Sequence, residues 1–359
     1  MRVRHLYVHV PFCVHRCGYC DFVTVTGHDD LHAAYVDALR AELNLHGPIA
    51  PETVYVGGGT PTLLREELLA RLLTGLPACA DVTIECNPET VTPELARILL
   101  RHGVTRISLG AQSFQPHLLE TLERRARPET VATALEILRA EGHENVNLDL
   151  MFGVPGQTRD DLQADIEAVL GHAPEHVSWY ELEAKPGTRF TVHHGAELAR
   201  QAEALEDHYE TVVDALRGAG YRWYETANFC LPGRESRHNL GYWLGHDYLG
   251  VGVGAVSTLG LVRRRNSPRL RPYLEACADG RAAPAEVEEL TASERGLERL
   301  MLGLRLDRPL QLNGLAGLVD DAACDRLAAA GLVRRDGETM ALTDRGRFLA
   351  NDVVASVLR

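Results

Sequence analysis

A chain of 359 residues, 45% hydrophobic and 24% charged, has the make-up of a globular protein with one large domain and an appendage. Its net charge of -13 argues against broad nucleic-acid binding by phosphate neutralisation, and no apolar run reaches the roughly 20 residues that span a bilayer. The eight cysteines, three clustered and five scattered, make no disulfide framework, and the start of the chain shows no signal-peptide pattern, so a cytoplasmic setting is expected.

A first strand is predicted over residues 6–10. Directly after it stand Cys13, Cys17 and Cys20 in Cys-Val-His-Arg-Cys-Gly-Tyr-Cys. Three thiolates on one short loop can ligate three irons of a [4Fe-4S] cube and leave the fourth open to a small molecule, whereas structural zinc usually takes four ligands. This Cys-x3-Cys-x2-Cys spacing resembles the signature of the radical S-adenosylmethionine (radical SAM) enzymes.

Further strands are predicted over residues 53–56, 82–86, 106–109, 146–151 and 177–182, each rich in Val, Ile, Leu or aromatics, with amphipathic helices between them. Thr92-Pro93-Glu94 signals one helix start and Gly103 its end; Thr158 with Asp161 reads as a capping box. Six βα units with right-handed crossovers predict an α/β fold, a partial (β/α)6 TIM-like barrel of the radical SAM type. The polar residues fall at the carboxyl ends of its strands, where such barrels do their chemistry. After the second strand come Gly57, Gly58, Gly59 and Thr60; Glu85 ends the third, Gln112 follows the fourth, and Asp149 lies on the fifth. Backbone without side chains can approach the methionyl end of S-adenosylmethionine closely. Glu85 or Asp149 can accept from its ammonium or ribose hydroxyls, and Gln112 can donate and accept. Arg124 suits the carboxylate, with Arg125 as the alternative.

The segments at residues 7–13, 17–22, 57–62, 85–89, 109–114 and 149–158 together resemble the oxygen-independent coproporphyrinogen III oxidase family and, within it, the HemW branch of radical SAM haem chaperones. Glu183 with Pro186-Gly187-Thr188, the run 220–225, the run 237–243 and the run 250–255 extend the likeness along nearly the whole chain. The resemblance implies that Cys13, Cys17 and Cys20 ligate the cluster. It implies that Tyr7, Gly58, Gly59, Thr60, Glu85, Gln112, Arg124 and Asp149 contact S-adenosylmethionine. The His238-Asn239-x-x-Tyr242-Trp243 run matches a motif typical of the chaperones and associated with haem, which makes His238 the haem candidate; the other reading is a hydrogen-bonded histidine anchoring its loop.

Three features favour the chaperones over the oxidases. The oxidases carry a fourth cysteine where this chain has Phe22, they have a longer extension before the first strand, and the His238 motif belongs to the chaperones. The implied function is delivery of haem to acceptors, with respiratory haem proteins and an electron donor for the cluster as partners. A peripheral membrane contact and a homodimer are compatible with it. Coproporphyrinogen oxidase or a related radical SAM methyltransferase is the alternative. Two departures concern the haem or substrate side: Ser236 replaces a cysteine often found before Arg-His-Asn, and Glu123 and Ala126 replace the glycine and histidine of a Leu-Gly-Arg-x-His pattern.

After residue 290 the character changes. Helices are predicted over 291–305 and 320–330, then a hairpin over 331–343 with an Asp-Gly turn and a last helix, together a winged-helix-like α+β unit. The expected division is 1–225 for the barrel, 226–284 for a connecting segment with the His238 motif, and 285–359 for the C-terminal unit, with Ala282-Ala283-Pro284-Ala285 as the linker.

Overall fold

The computed structural model describes residues 3–183 and 185–359, with 200–204 described in their backbone only. Strands β1 (His5–Val10), β2 (Thr53–Gly58), β3 (Val82–Cys86), β4 (Arg106–Gln112), β5 (Val146–Phe152) and β6 (His176–Glu181) lie side by side in chain order, all parallel. Alternation along each strand sorts its side chains. Leu6, Val8 and Val10 join Tyr35 and Leu39 of the helix His32–Leu45 in the main core. Tyr7 and His9, on the other face of β1, pair with each other, and Tyr7 stacks on Tyr55. The predicted helix starts are present: Thr92 accepts from Leu95 N, and Thr158 with Asp161 forms a capping box.

The sheet does not stop at six strands. Beyond β6 lie β7 (Arg222–Trp223) and β8 (Asn228–Cys230), with β8 antiparallel to β6. On the other side β9 (Tyr248–Val251) runs parallel to β1, and β10 (Val256–Leu259), β11 (Val262–Asn266) and β12 (Ala285–Glu289) continue antiparallel. Among the described residues the result is one 12-stranded sheet. Residues 226–284, expected as a connecting segment, therefore supply four strands of this sheet, β8 to β11, and the chain leaves it only after Glu289. The signal was hidden because β11 and β12 alternate charges instead of apolar residues: Arg263 faces Glu288 and Arg265 faces Glu286.

A capping box of Thr291 and Glu294 opens the helix Ala292–Gly303. It leads to β13 (Leu310–Gln311), the helix Asp321–Ala329, β14 (Val333–Asp336) and β15 (Thr339–Leu342), a three-stranded antiparallel sheet with its own core around Leu300, Val319, Met340 and Val353. The hairpin pairs Asp336 with Thr339, so its turn is Gly337-Glu338, one residue later than the Asp-Gly reading. Gly337 has the positive φ of +55° that such a turn demands. The single last helix expected is two, Asp344–Phe348 and Ala350–Val357. Arg347 fastens this unit to the barrel, its guanidinium 3.5 Å from the Trp223 ring centroid and Nη1 donating to Trp223 O. Among the described residues no helix is long and apolar enough to cross a membrane.

Candidate functional site

The cysteine loop leaves β1 and is tied back to it. Cys13 N donates to Val25 O and Val25 N to Pro11 O, while Cys20 N closes a turn on Cys17 O. The glycine run after β2 packs directly beneath: Gly59 N donates to Val10 O, and Thr60 N to Phe12 O, both at 2.8 Å. A Cβ on Gly59 would stand 2.7 Å from Phe12 O, and one on Gly57 2.8 Å from the Glu85 carboxyl. Gly58 adds a φ of +118°. Only glycine lets the two strand ends meet this closely.

Cys13, Cys17 and Cys20 face one cavity of about 510 Å³, within the size range of small-molecule sites. Burial pushes the Cys13 thiol up to about 11 and raises Cys20 as well, a cost that metal coordination offsets by deprotonating a thiol outright. Among the described residues no three His, Cys, Asp or Glu groups could hold a single metal ion. Three cysteines on one loop are the donor set of a four-iron cube that keeps one iron open.

Opposite the loop lie two partly buried carboxylates. Glu85 accepts from Tyr55 OH at 2.8 Å and from Gly58 N at 2.9 Å, yet burial lifts it to about 7, and Asp149 nearby adds to the rise. Asp149 accepts from Ser108 Oγ at 2.9 Å and Asn147 Nδ2 at 2.7 Å, and burial raises it too. Two carboxyls held up by desolvation in one cavity are complementary to a cation, which would restore both to the charged form. Arg124 is fixed between Asn87 Oδ1 (3.0 Å) and Gly110 O (2.9 Å), and its buried Nε has no partner among the described residues. Gln112 reaches the cavity from a left-handed backbone, φ +68°, where the β4–β5 ladder shifts register between Gly110 and Gln112. Such a conformation costs about 1 kcal/mol or more for a residue with a side chain.

The cavity thus gathers Gly58, Gly59, Thr60, Glu85, Gln112, Arg124 and Asp149 with the three cysteines. It does not gather Tyr7, whose hydroxyl is 3.0 Å from His9 Nδ1, nor His238. His238 is 1% exposed with both ring nitrogens engaged, Nδ1 2.8 Å from Thr53 Oγ1 and Nε2 2.9 Å from Tyr242 OH, and burial drives it down to about 3. In this fold it anchors its loop, with no ring nitrogen free for a ligand. Tyr19, Tyr55, Tyr180 and Lys185 line the cavity without having been singled out in the sequence. Tyr55 was within reach of the pattern, since it precedes Gly57 by two on β2 and so shares its face.

A family model of the radical SAM superfamily matches residues 7–169, and one of the HemN C-terminal domain matches 290–349. The chain is 41% identical to the heme chaperone HemW of Mycobacterium tuberculosis, covering 98% of this chain and 94% of that protein. It is 33% identical to the heme chaperone HemW of Bacillus subtilis over 99% of each. The coproporphyrinogen III oxidase HemN of Escherichia coli has the same fold, with a TM-score of 0.83 and 23% identity over 99% of this chain and 90% of that one. The superfamily match implies a [4Fe-4S] cluster and S-adenosylmethionine, for which the cysteine loop and the carboxylate-lined cavity have suitable donors. With that cavity at the carboxyl end of its parallel strands and its likeness running from end to end, the chain belongs to the HemW family of the radical SAM superfamily.

Proposed function

We propose that this chain is a haem chaperone that carries a [4Fe-4S] cluster on Cys13, Cys17 and Cys20, holds S-adenosylmethionine in the adjoining cavity, and passes haem to acceptor haem proteins. Gly58, Gly59 and Thr60 offer backbone to the methionyl end, Glu85 and Asp149 take its positive groups, Arg124 its carboxylate, and Gln112 donates or accepts at the rim. What supports the reading is the likeness to curated haem chaperones across 98% of the chain, through both matched domains. Respiratory haem proteins as acceptors, an electron donor for the cluster, a cytoplasmic setting and a homodimer belong to the same proposal.

Phe22 speaks against decarboxylation. It stands on the cavity at the position of the oxidases' fourth cysteine and is 61% exposed, an apolar ring where that family has a thiol. The test is anaerobic reconstitution of the full chain, followed by parallel assays of haem uptake, haem transfer to an apo acceptor, and coproporphyrinogen decarboxylation. Uptake and transfer without decarboxylation are expected. Decarboxylation without haem uptake would overturn the proposal in favour of the oxidase.

A further inference from the structure

The two ends of β1 carry different chemistry. Its carboxyl end leads to the cysteine cavity; near its amino end, at His5, lies a second cavity of about 490 Å³ between the segment ahead of β9 and the C-terminal unit. Apolar Leu244, Leu306 and Leu310 share its walls with His246, Arg299 and Arg308. Among the described residues neither Arg299 nor Arg308 has a hydrogen-bond or ion-pair partner, in a chain with 50 acidic residues against 37 basic ones. The neighbouring Arg295, by contrast, is held by Gly245 O at 2.8 Å and Glu298 at 3.3 Å. Two unpaired guanidiniums beside leucine walls are complementary to an amphipathic dianion.

The imidazole of His246 adds a donor atom. Its Nδ1 is 3.0 Å from His5 Nε2; His5 Nδ1 is 2.8 Å from Thr53 Oγ1, which is 2.8 Å from His238 Nδ1, and His238 Nε2 is 2.9 Å from Tyr242 OH. With Nδ1 committed to this relay, Nε2 is the His246 nitrogen without a partner among the described residues. In one polarity of the relay every group donates toward Tyr242, so that Nδ1 carries the proton and Nε2 presents a lone pair. A second acceptor on the far ring nitrogen is the usual way a protein orients a metal-bound imidazole.

We propose that this cleft is where haem docks, with His246 Nε2 as axial ligand, Arg299 and Arg308 on the two propionates, and the leucines against the macrocycle. The proposal rests on the haem-chaperone reading and adds the place. It makes His238 a positioning residue at the far end of the relay instead of the ligand.

The test titrates the reconstituted full chain with haem and with haem dimethyl ester, followed by the Soret band and the reduced-state spectrum. The wild type should bind haem at least roughly tenfold tighter than its diester, the worth of one charge-assisted contact, and Arg299→Gln with Arg308→Gln should close that gap. His246→Ala should lose the histidine-ligated spectrum and regain it with added imidazole, while His238→Ala should keep it. A wild type that binds haem, with the diester gap intact in the double arginine variant or the spectrum unchanged in His246→Ala, overturns this site and leaves the chaperone reading standing. A wild type that binds no haem overturns the chaperone reading and the site with it.

Discussion

Oε2 of Glu123 stands 3.1 Å from Nε2 of His15 in the cysteine loop, and it reaches there from a left-handed backbone, φ +55°. The same carboxylate takes Arg189 Nη2 at 2.6 Å, and its Oε1 would lie 2.5 Å from a Cβ on Gly18. The family pattern has glycine at this position, which such a φ favours; this chain has a strained glutamate that clips the loop. Its ion pairs are half-exposed and worth about 0–1 kcal/mol, similar to the backbone cost of about 1 kcal/mol. Glu123→Gly should therefore change global stability by less than about 1 kcal/mol. Amide exchange in residues 15–20 should nonetheless become faster. Unaltered exchange there would show that Glu123 does not restrain the loop.

Single Cys→Ala changes at Cys13, Cys17 or Cys20 should abolish the cluster, read as iron content and visible absorption after reconstitution. The same change at Cys79 or Cys277, which lie away from the cavity, should not. A full iron complement with all three loop cysteines removed would sink the assignment.

Glu85→Gln and Asp149→Asn should each weaken S-adenosylmethionine binding by about 1.5–3 kcal/mol, the scale of a charge-assisted hydrogen bond. Cluster assembly should survive. Because burial raises Glu85 from 4.5 to about 7, the native state holds its proton more tightly than the unfolded chain does. Its contribution to stability is thus fully present below pH 4.5 and is lost as pH rises through about 7. Affinity for the cationic ligand should run the other way, increasing as pH rises through the same range and Glu85 ionises. Calorimetry across pH 6–8, a window set around that value, should find this slope flattened in Glu85→Gln. Equal slopes in the two proteins would remove Glu85 from the binding site.

Gly59→Ala should destabilise the fold by about 1–3 kcal/mol, since its Cβ would press on backbone instead of a movable side chain. Gly171→Ala makes the contrast: it lies in the helix Arg159–His172 with nothing within 4 Å of its Cβ, and should be neutral or stabilising by about 0.5–1 kcal/mol. Denaturant midpoints of the two variants measure the difference.

The parallel strands and the cysteine loop could be read from the chain because hydrophobic runs and ligand spacing are local signals. The six-strand order follows from them, and so does the gathering of Gly58, Glu85 and Asp149 at one rim. What could not be read depends on partners distant in sequence. β11 is Val-Arg-Arg-Arg-Asn, and only β12, with its glutamates, makes a strand of it. The motif leaves His238 open as haem ligand or as loop anchor, and only Thr53 and Tyr242, which occupy its two nitrogens, favour the anchor. Tyr7 alternates toward the inside of the barrel, where its ring stacks on Tyr55 and its hydroxyl lies 3.0 Å from His9 Nδ1.

The pairing of β11 with β12 also governs what the sheet can meet. β12 is the last strand, and its outer edge leaves hydrogen-bonding groups open to another chain. Glu286, Glu288 and Glu289 line that edge, and Val287 between them is 61% exposed. Two copies approaching edge to edge would bring like charges from both strands together, without the arginines of β11 in reach on the outer side. Glu288, which pairs with Arg263 across to β11, thus belongs to an acidic border that disfavours pairing of β12 with a second copy of itself.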